Sequence, residues 1–294
     1  MDKIKIGIPR GLFYYYHGQF LKDFFEYLDF QVIVSPKNNP EIVSKGIEFS
    51  SDEMCLSLKN FLGHVSYLSD KCDYLLMMRI VNYGTFDQTC TNFCAIYDLV
   101  NNLFDIDILN INIDVNNQET LKLGLMKICK YFKKDFNTAY DYALNKEINR
   151  KKQLEKENIL KLKNKNKKVL IVGHPYNVYD ELVGKPIIKF LEKEDVTVIY
   201  SDRFDSDITN SLSKKISKNL FWKYSKENIG AVSLTENMID GVIFISSFPC
   251  GPDSLVNELV MRKISKPYLN IIVDDINSNA GLETRLESFI DILV

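Results

Sequence analysis

No stretch of the 294-residue sequence approaches the roughly 18–20 consecutive apolar residues that a membrane-spanning helix needs. The opening residues, MDKIKIGIPRGLFYYY, lack the long apolar core and small-residue cleavage site of a secretory signal. An excess of one charge is missing too: 37 Lys and Arg stand against 39 Asp and Glu, a net charge of −2. That balance excludes a bulk electrostatic attraction to nucleic acid or to an anionic membrane surface. The sequence has no Cys-x-x-Cys pair of the zinc-knuckle kind and no G-x-G-x-x-G turn of the dinucleotide-binding folds. What is present, 46% hydrophobic and 26% charged residues, suits a soluble cytoplasmic protein long enough for two hydrophobic cores.

The hydrophobic pattern reads as α/β, and it reads so twice. In the first half, strands are expected over residues 4–8, 30–34, 74–81 and 106–113, with helices over 14–28, 43–47, 51–68 and 95–104. A helical stretch follows over 117–163, and its EINRKKQLEKENILKLKNKNKK segment is so charged that it reads as a solvated helix or linker. The second half restarts the pattern, with strands over 168–172, 196–200, 240–246 and 267–272 and helices over 186–192, 255–262 and 282–292. Strands alternating with helices imply parallel sheets with right-handed crossovers. The expected architecture is two doubly wound Rossmann-like domains, residues 1–135 and 167–294, joined by a helical linker over 136–166. Function in such domains sits at the C-terminal ends of the strands.

Six cysteines are spread along the chain, and a reducing cytosol disfavours structural disulfides. Three stand at strand ends or helix starts: Cys55 in SSDEMCLSLK, Cys90 in GTFDQTCTNFC, and Cys250 in SSFPCGPDS. Helix N-termini favour the thiolate, the form that ligates metal. Cys94, four residues after Cys90, reads either as a fourth ligand or as the apolar face of a helix. Cys72 and Cys129 read as small core residues. Pro249 and Gly251 restrict and open the loop around Cys250. Glu53, Lys59 and His64 flank Cys55, where an ordinary solvated face accounts for the first two. Gly11 and the GHPYN segment, Gly173 to Asn177, follow the first strand of each half, as phosphate-cradling or plain strand-to-helix turns. His64 and His174 are the candidate acid–base groups, and a structural histidine suits His64 equally well.

The segments IGIPRGLFYYY, DEMCLSLKNFLGHVSYL, CTNFCAIYD, GHPYN and FPCGPDS, in this order, resemble the acyl-CoA dehydratase activase-related proteins. That group is part of the 2-hydroxyglutaryl-CoA dehydratase D-component and double-cubane cluster protein superfamily, and the resemblance runs over nearly the whole chain. It implies an anaerobic iron–sulfur protein holding a [4Fe–4S] cluster through Cys55, Cys90 and Cys250; a double-cubane [8Fe–9S] cluster would require Cys94 or other thiolates, or a second chain. Relatives commonly carry another residue where Cys94 stands. The resemblance further implies electron transfer from an ATP-dependent activase, a reductive or radical reaction, and a homodimer as one arrangement. No CoA-binding signature is evident, and the chain stands alone where the dehydratases use two different subunits, so dehydratase chemistry itself does not follow. A non-catalytic cluster carrier or scaffold, and a zinc-bound or metal-free small-molecule binding module, are the alternative readings.

Overall fold

The computed structural model describes residues 3–274 and 281–293. The chain divides into two compact units, Met1–Arg150 and Lys151–Val294. Each is built on a four-stranded, all-parallel sheet.

The first sheet holds β1 (Lys5–Ile8), β2 (Gln31–Val34), β3 (Tyr74–Asn82) and β4 (Ile108–Asp114), in the spatial order β2-β1-β3-β4. Parallel neighbours cannot be joined by a tight turn, so helices carry the crossovers. They are α1 (Gln19–Tyr27), α2 (Pro40–Glu48), α3 (Leu56–Leu68) and α4 (Thr91–Leu103), with α5 (Leu121–Phe132) after the last strand. The near-continuous apolar run of β3 follows from cover on both faces: Leu75, Leu76, Met77, Met78 and Ile80 are fully buried. A π-helical turn, Tyr14–Gly18, leads into α1, which buries Phe20, Leu21, Phe24 and Phe25 as one stripe. Asn39 starts α2 by accepting from the backbone N–H of Glu41 and Ile42, with Pro40 at the first helical position.

The charged helix α6 (Phe136–Leu162) is less solvated than its sequence suggests. Ala139 and Ala143 are fully buried, and Phe136 and Tyr140 pack on Phe24 and Phe20 of α1. Lys146 and Arg150 pair with the buried carboxylate of Asp23 at 2.8 and 2.6 Å. Burial alone would raise that carboxyl, but the two cations hold it below its ordinary range. Farther along, the Asn158 side chain exchanges hydrogen bonds with the backbone of Tyr200 at 2.9 and 3.0 Å. A helix read as linker thus supplies packing to the first unit and a strand contact to the second.

The second sheet holds β5 (Lys168–Gly173), β6 (Thr197–Tyr200), β7 (Gly241–Ser247) and β8 (Tyr268–Val273), in the order β6-β5-β7-β8. Counted from the first strand of each unit, the two orders are identical. Helices α7 (Pro175–Val178), α8 (Gly184–Lys193), α9 (Ser206–Ser213), α10 (Lys223–Thr235), α11 (Gly251–Met261) and α12 (Leu282–Asp291) complete the unit. Its core gathers Leu170, Val172, Ile199, Val242 and Phe244 from the strands with Ile229, Val232, Val256 and Val260 from α10 and α11. The two doubly wound Rossmann-like folds expected from the pattern are therefore present.

Two differences have clear causes. Helices α9 and α10 are not signalled by apolar periodicity, because α10 buries polar residues along with apolar ones. Ser225, Asn228 and Thr235 are buried there, with Asn228 accepting from Ser201 and Thr235 bonding the carbonyl of Ala231. The expected helix over 117–163 is broken into α5 and α6 by Lys133, which sits at φ 53° and caps α5.

Helices α2 and α3 touch through glycine. A Cβ on Gly63 would lie 1.9 Å from the carbonyl oxygen of Ile42, and one on Gly46 2.0 Å from that of Lys59. The obstacles are backbone atoms, which cannot rotate away. Gly63→Ala is therefore expected to destabilise the protein by about 3 kcal/mol. Gly251→Ala, where an added Cβ meets nothing within 4 Å, should stay within about 0.5 kcal/mol of the parent. Urea unfolding of the two variants tests the contrast.

Candidate functional site

In both sheets the chain leaves the first strand toward one side and the third strand toward the other. A crevice opens between their C-terminal ends, where doubly wound folds bind ligands. The crevice lies between β1 and β3 in the first unit and between β5 and β7 in the second. Cys90 and Cys250 occupy equivalent positions, because each follows the third strand of its unit and is the N-cap of the next helix, α4 or α11. Cys55 is likewise an N-cap, that of α3. All three have extended backbone, with ψ of 160°, 104° and 148° for Cys90, Cys250 and Cys55, while their carbonyls accept the first helical hydrogen bonds. An N-cap side chain faces the unsatisfied N–H groups and positive dipole end of its helix, a setting that favours a thiolate. All six cysteines are thiols rather than disulfides.

In the first unit, Asn92 Nδ2 donates to Cys55 Sγ at 3.4 Å. Since Asn92 is two residues beyond Cys90, this contact brings the Cys55 thiol to the first turn of α4. An N–H···S bond of this kind adjusts the electron density of a ligating thiolate. Cys94 follows Cys90 by one helical turn and is partly exposed. Across the crevice, His17 Nε2 lies 2.7 Å from the hydroxyl of Tyr83, joining the π-helical turn after β1 to the loop after β3.

The second unit repeats the bridge with different residues. His174, which follows β5, places Nε2 3.0 Å from Asp253 Oδ1 in the first turn of α11, three residues beyond Cys250. Both side chains are more than nine-tenths buried, and Asp253 Oδ2 is buried with no hydrogen-bond partner. The Tyr176 ring stacks on the imidazole at 4.8 Å and 11°. A carboxylate at Nε2 fixes the proton on that nitrogen and holds the ring against the start of α11. Pro249, preceded by a cis peptide bond, and Gly251 flank Cys250.

Some expectations need correction. The helix expected from Ser51 begins at Leu56, because residues 51–54 form a tight turn, with Met54 N bonded to Ser51 O, and Cys55 is extended. Cys55 is therefore a cap and not a first-turn residue. The helix expected from Ala95 begins at Thr91, which turns Cys90 from a loop residue into a cap and places Cys94 inside the helix. Glu53 is exposed, and Lys59 bonds the carbonyl of Asp52. A Cβ on Gly11 would lie 3.0 Å from the Phe61 ring, and one on Gly173 2.5 Å from the carbonyl oxygen of Ile245, so packing accounts for both glycines. Burial pushes the thiols of Cys72 and Cys129 up to about 11, which suits inert core residues.

Asn92, Tyr83 and Asp253 were not singled out by sequence reasoning. The available signal was positional: two of the three histidines, His17 and His174, stand just after the first strand of their halves. Among the described residues, no three Cys, His, Asp or Glu side chains are gathered as ligands of a single metal ion. In donor type, however, the soft thiols at three helix N-caps and the N–H···S bond fit iron–sulfur ligation. No helix is long and apolar enough to cross a membrane among the described residues.

A family model described as "CoA enzyme activase uncharacterised domain" (DUF2229) matches residues 5–204. The match includes Cys55, Cys90, Cys94 and His174, and ends before Asp253 and Cys250. No curated protein matches the sequence. Among solved structures the chain overlaps a crystal structure of ZnuA, at 12% identity over 99% of this chain and 98% of that one, with a TM-score of 0.31. It also overlaps the Zn(II)-bound ZnuA-like domain of Streptococcus pneumoniae AdcA, at 9% identity over 99% and 98%, with a TM-score of 0.30. Overlaps this loose carry no argument about function.

His64 lies in α3, fully enclosed, with Nδ1 lacking a hydrogen-bond partner. Burial, reinforced by Arg10, pushes its imidazole down to about 3, so the ring is neutral and its role is packing. In the unfolded chain the same ring titrates near 6.5. Between these values the unfolded state binds more protons, so stability falls as pH drops below 6.5. The expected loss from this group between pH 7 and pH 5 is about 2 kcal/mol. Urea unfolding at the two pH values should show a smaller loss in His64→Gln, and an identical loss would contradict the assignment.

Proposed function

We propose that this chain, which belongs to the CoA enzyme activase uncharacterised domain family (DUF2229), is an iron–sulfur protein that accepts low-potential electrons from an ATP-dependent activase. It passes them to a reductive or radical reaction. The observation that carries the reading is the shared placement of Cys55, Cys90 and Cys250 at helix N-caps, the last two each in the segment after the third strand of a unit. Three unrelated segments put a thiol in the one backbone position where a helix terminus stabilises its negative charge.

The bound cluster supplies one-electron chemistry at low potential. The protein supplies thiolates from Cys55, Cys90 and Cys250 and an amide donor from Asn92 to Cys55 Sγ. His174 and Asp253 fix the start of the helix that Cys250 caps. The family supports an activase as partner. A second reading, a closed and non-catalytic electron carrier, draws on Cys94, whose place one turn after Cys90 offers a fourth thiol.

Anaerobic purification with iron and acid-labile sulfide quantified tests the proposal. Iron and sulfide are expected together, lost in Cys55→Ala, Cys90→Ala and Cys250→Ala, and kept in Cys129→Ala. Protein that stays free of iron after reconstitution contradicts the reading. Full iron in Cys250→Ala removes that residue from the ligand set.

A further inference from the structure

At the end of β6, three side chains that play no part in the thiol chemistry lock one another in place. The hydroxyl of Tyr179, just beyond α7, lies 2.8 and 3.0 Å from the two carboxylate oxygens of Asp202. Arg203 Nε donates to the same hydroxyl at 2.9 Å. The guanidinium is stacked over Tyr200, 4.2 Å from the ring centroid, and lies 5.3 Å from that of Tyr179. Burial pushes the Tyr179 phenol well above its ordinary range, so the hydroxyl keeps its proton, donates it to Asp202 and accepts from Arg203.

Arg203 uses one N–H in this arrangement, and among the described residues no carboxylate lies within ion-pair distance of it. Its plane is fixed by stacking and its Nη groups are uncommitted. That is the state of an arginine prepared for two-point recognition of an oxyanion. Asp202 beside it is exposed.

The place of the pair in the fold identifies the ligand chemistry. Strand β6 is the second strand of its unit and the parallel neighbour of the first, β5. In doubly wound folds either a carboxylate at the end of that strand takes ribose hydroxyls or a nearby arginine takes a phosphate carried by the ribose; here both residue types stand side by side. The first unit has no such pair, since β2 runs into Ser35 and Pro36. His174 and Pro175 fill the turn after β5 where a glycine-rich pyrophosphate cradle would stand. Recognition therefore rests on the ribose end of a nucleotide.

We infer that Asp202 and Arg203 form a subsite for a phosphorylated ribose, with Asp202 accepting from a ribose hydroxyl and Arg203 holding the phosphate monoester. The same chemistry is offered by a 3′-phosphate, as in CoA, and by a 2′-phosphate, as in NADP. The inference does not depend on iron and is testable on metal-free protein.

Calorimetric titration of the full chain with CoA, dephospho-CoA, NADP+ and NAD+ separates the sources. One phosphorylated ligand should bind about tenfold or more tighter than its unphosphorylated partner. Arg203→Ala and Arg203→Lys should bring that pair within about twofold by weakening the phosphorylated member alone. Asp202→Asn should weaken both members equally. Unchanged melting temperatures establish that the variants fold, with Arg203→Lys the milder change. Equal affinity within both pairs, no binding by any of the four, or a phosphate preference that survives Arg203→Ala would overturn the inference.

Discussion

The pairing of β1 with β3, and of β5 with β7, is the constraint from which the functional geometry follows. Parallel neighbours whose chains depart to opposite sides cannot close their C-terminal ends against each other. Each unit must therefore bridge a crevice with side chains, and each does so with a histidine. His17 reaches Tyr83 in the first unit, and His174 reaches Asp253 in the second. Both bridges join the segment after the first strand to the segment after the third. The third-strand segment in each case also delivers a capping cysteine.

This equivalence argues against chance for Cys90 and Cys250. Structural cysteines in the same chain, Cys72 and Cys129, have burial that raises their thiols, and Cys72 points its thiol at the carbonyl of Leu68. The three caps instead stand at helix starts, where backbone N–H groups and the helix dipole oppose the cost of negative charge. The chain thus places its cysteines in two kinds of setting. The units differ in their second strand, where only β6 ends in a carboxylate and an arginine. A repeated fold has in this way acquired different edges.

Much of this was legible in the sequence, for physical reasons. β3 is recognisable because a strand covered on both faces must be apolar throughout, and the strand-end cysteines are visible because turn residues bracket them. Other parts were hidden. α10 is buried through Ser225, Asn228 and Thr235, whose polar groups are satisfied only by contacts that exist once the fold forms. α6 conceals Ala139 and Ala143 within a charge-rich run, and its Lys146 and Arg150 serve a buried Asp23 more than a hundred residues away. The start of α4 is hidden because Thr91 and Asn92 carry no apolar signal, although they begin the helix. The Asp253 partner of His174 depends on tertiary proximity that no local pattern encodes.

The proposed iron–sulfur role rests on thiols at three helix caps. X-ray absorption at the iron edge of the anaerobically isolated protein addresses the ligands directly. The account predicts a first shell of sulfur with an iron–iron shell beyond it. A first shell of nitrogen and oxygen, with no iron neighbour, would contradict it.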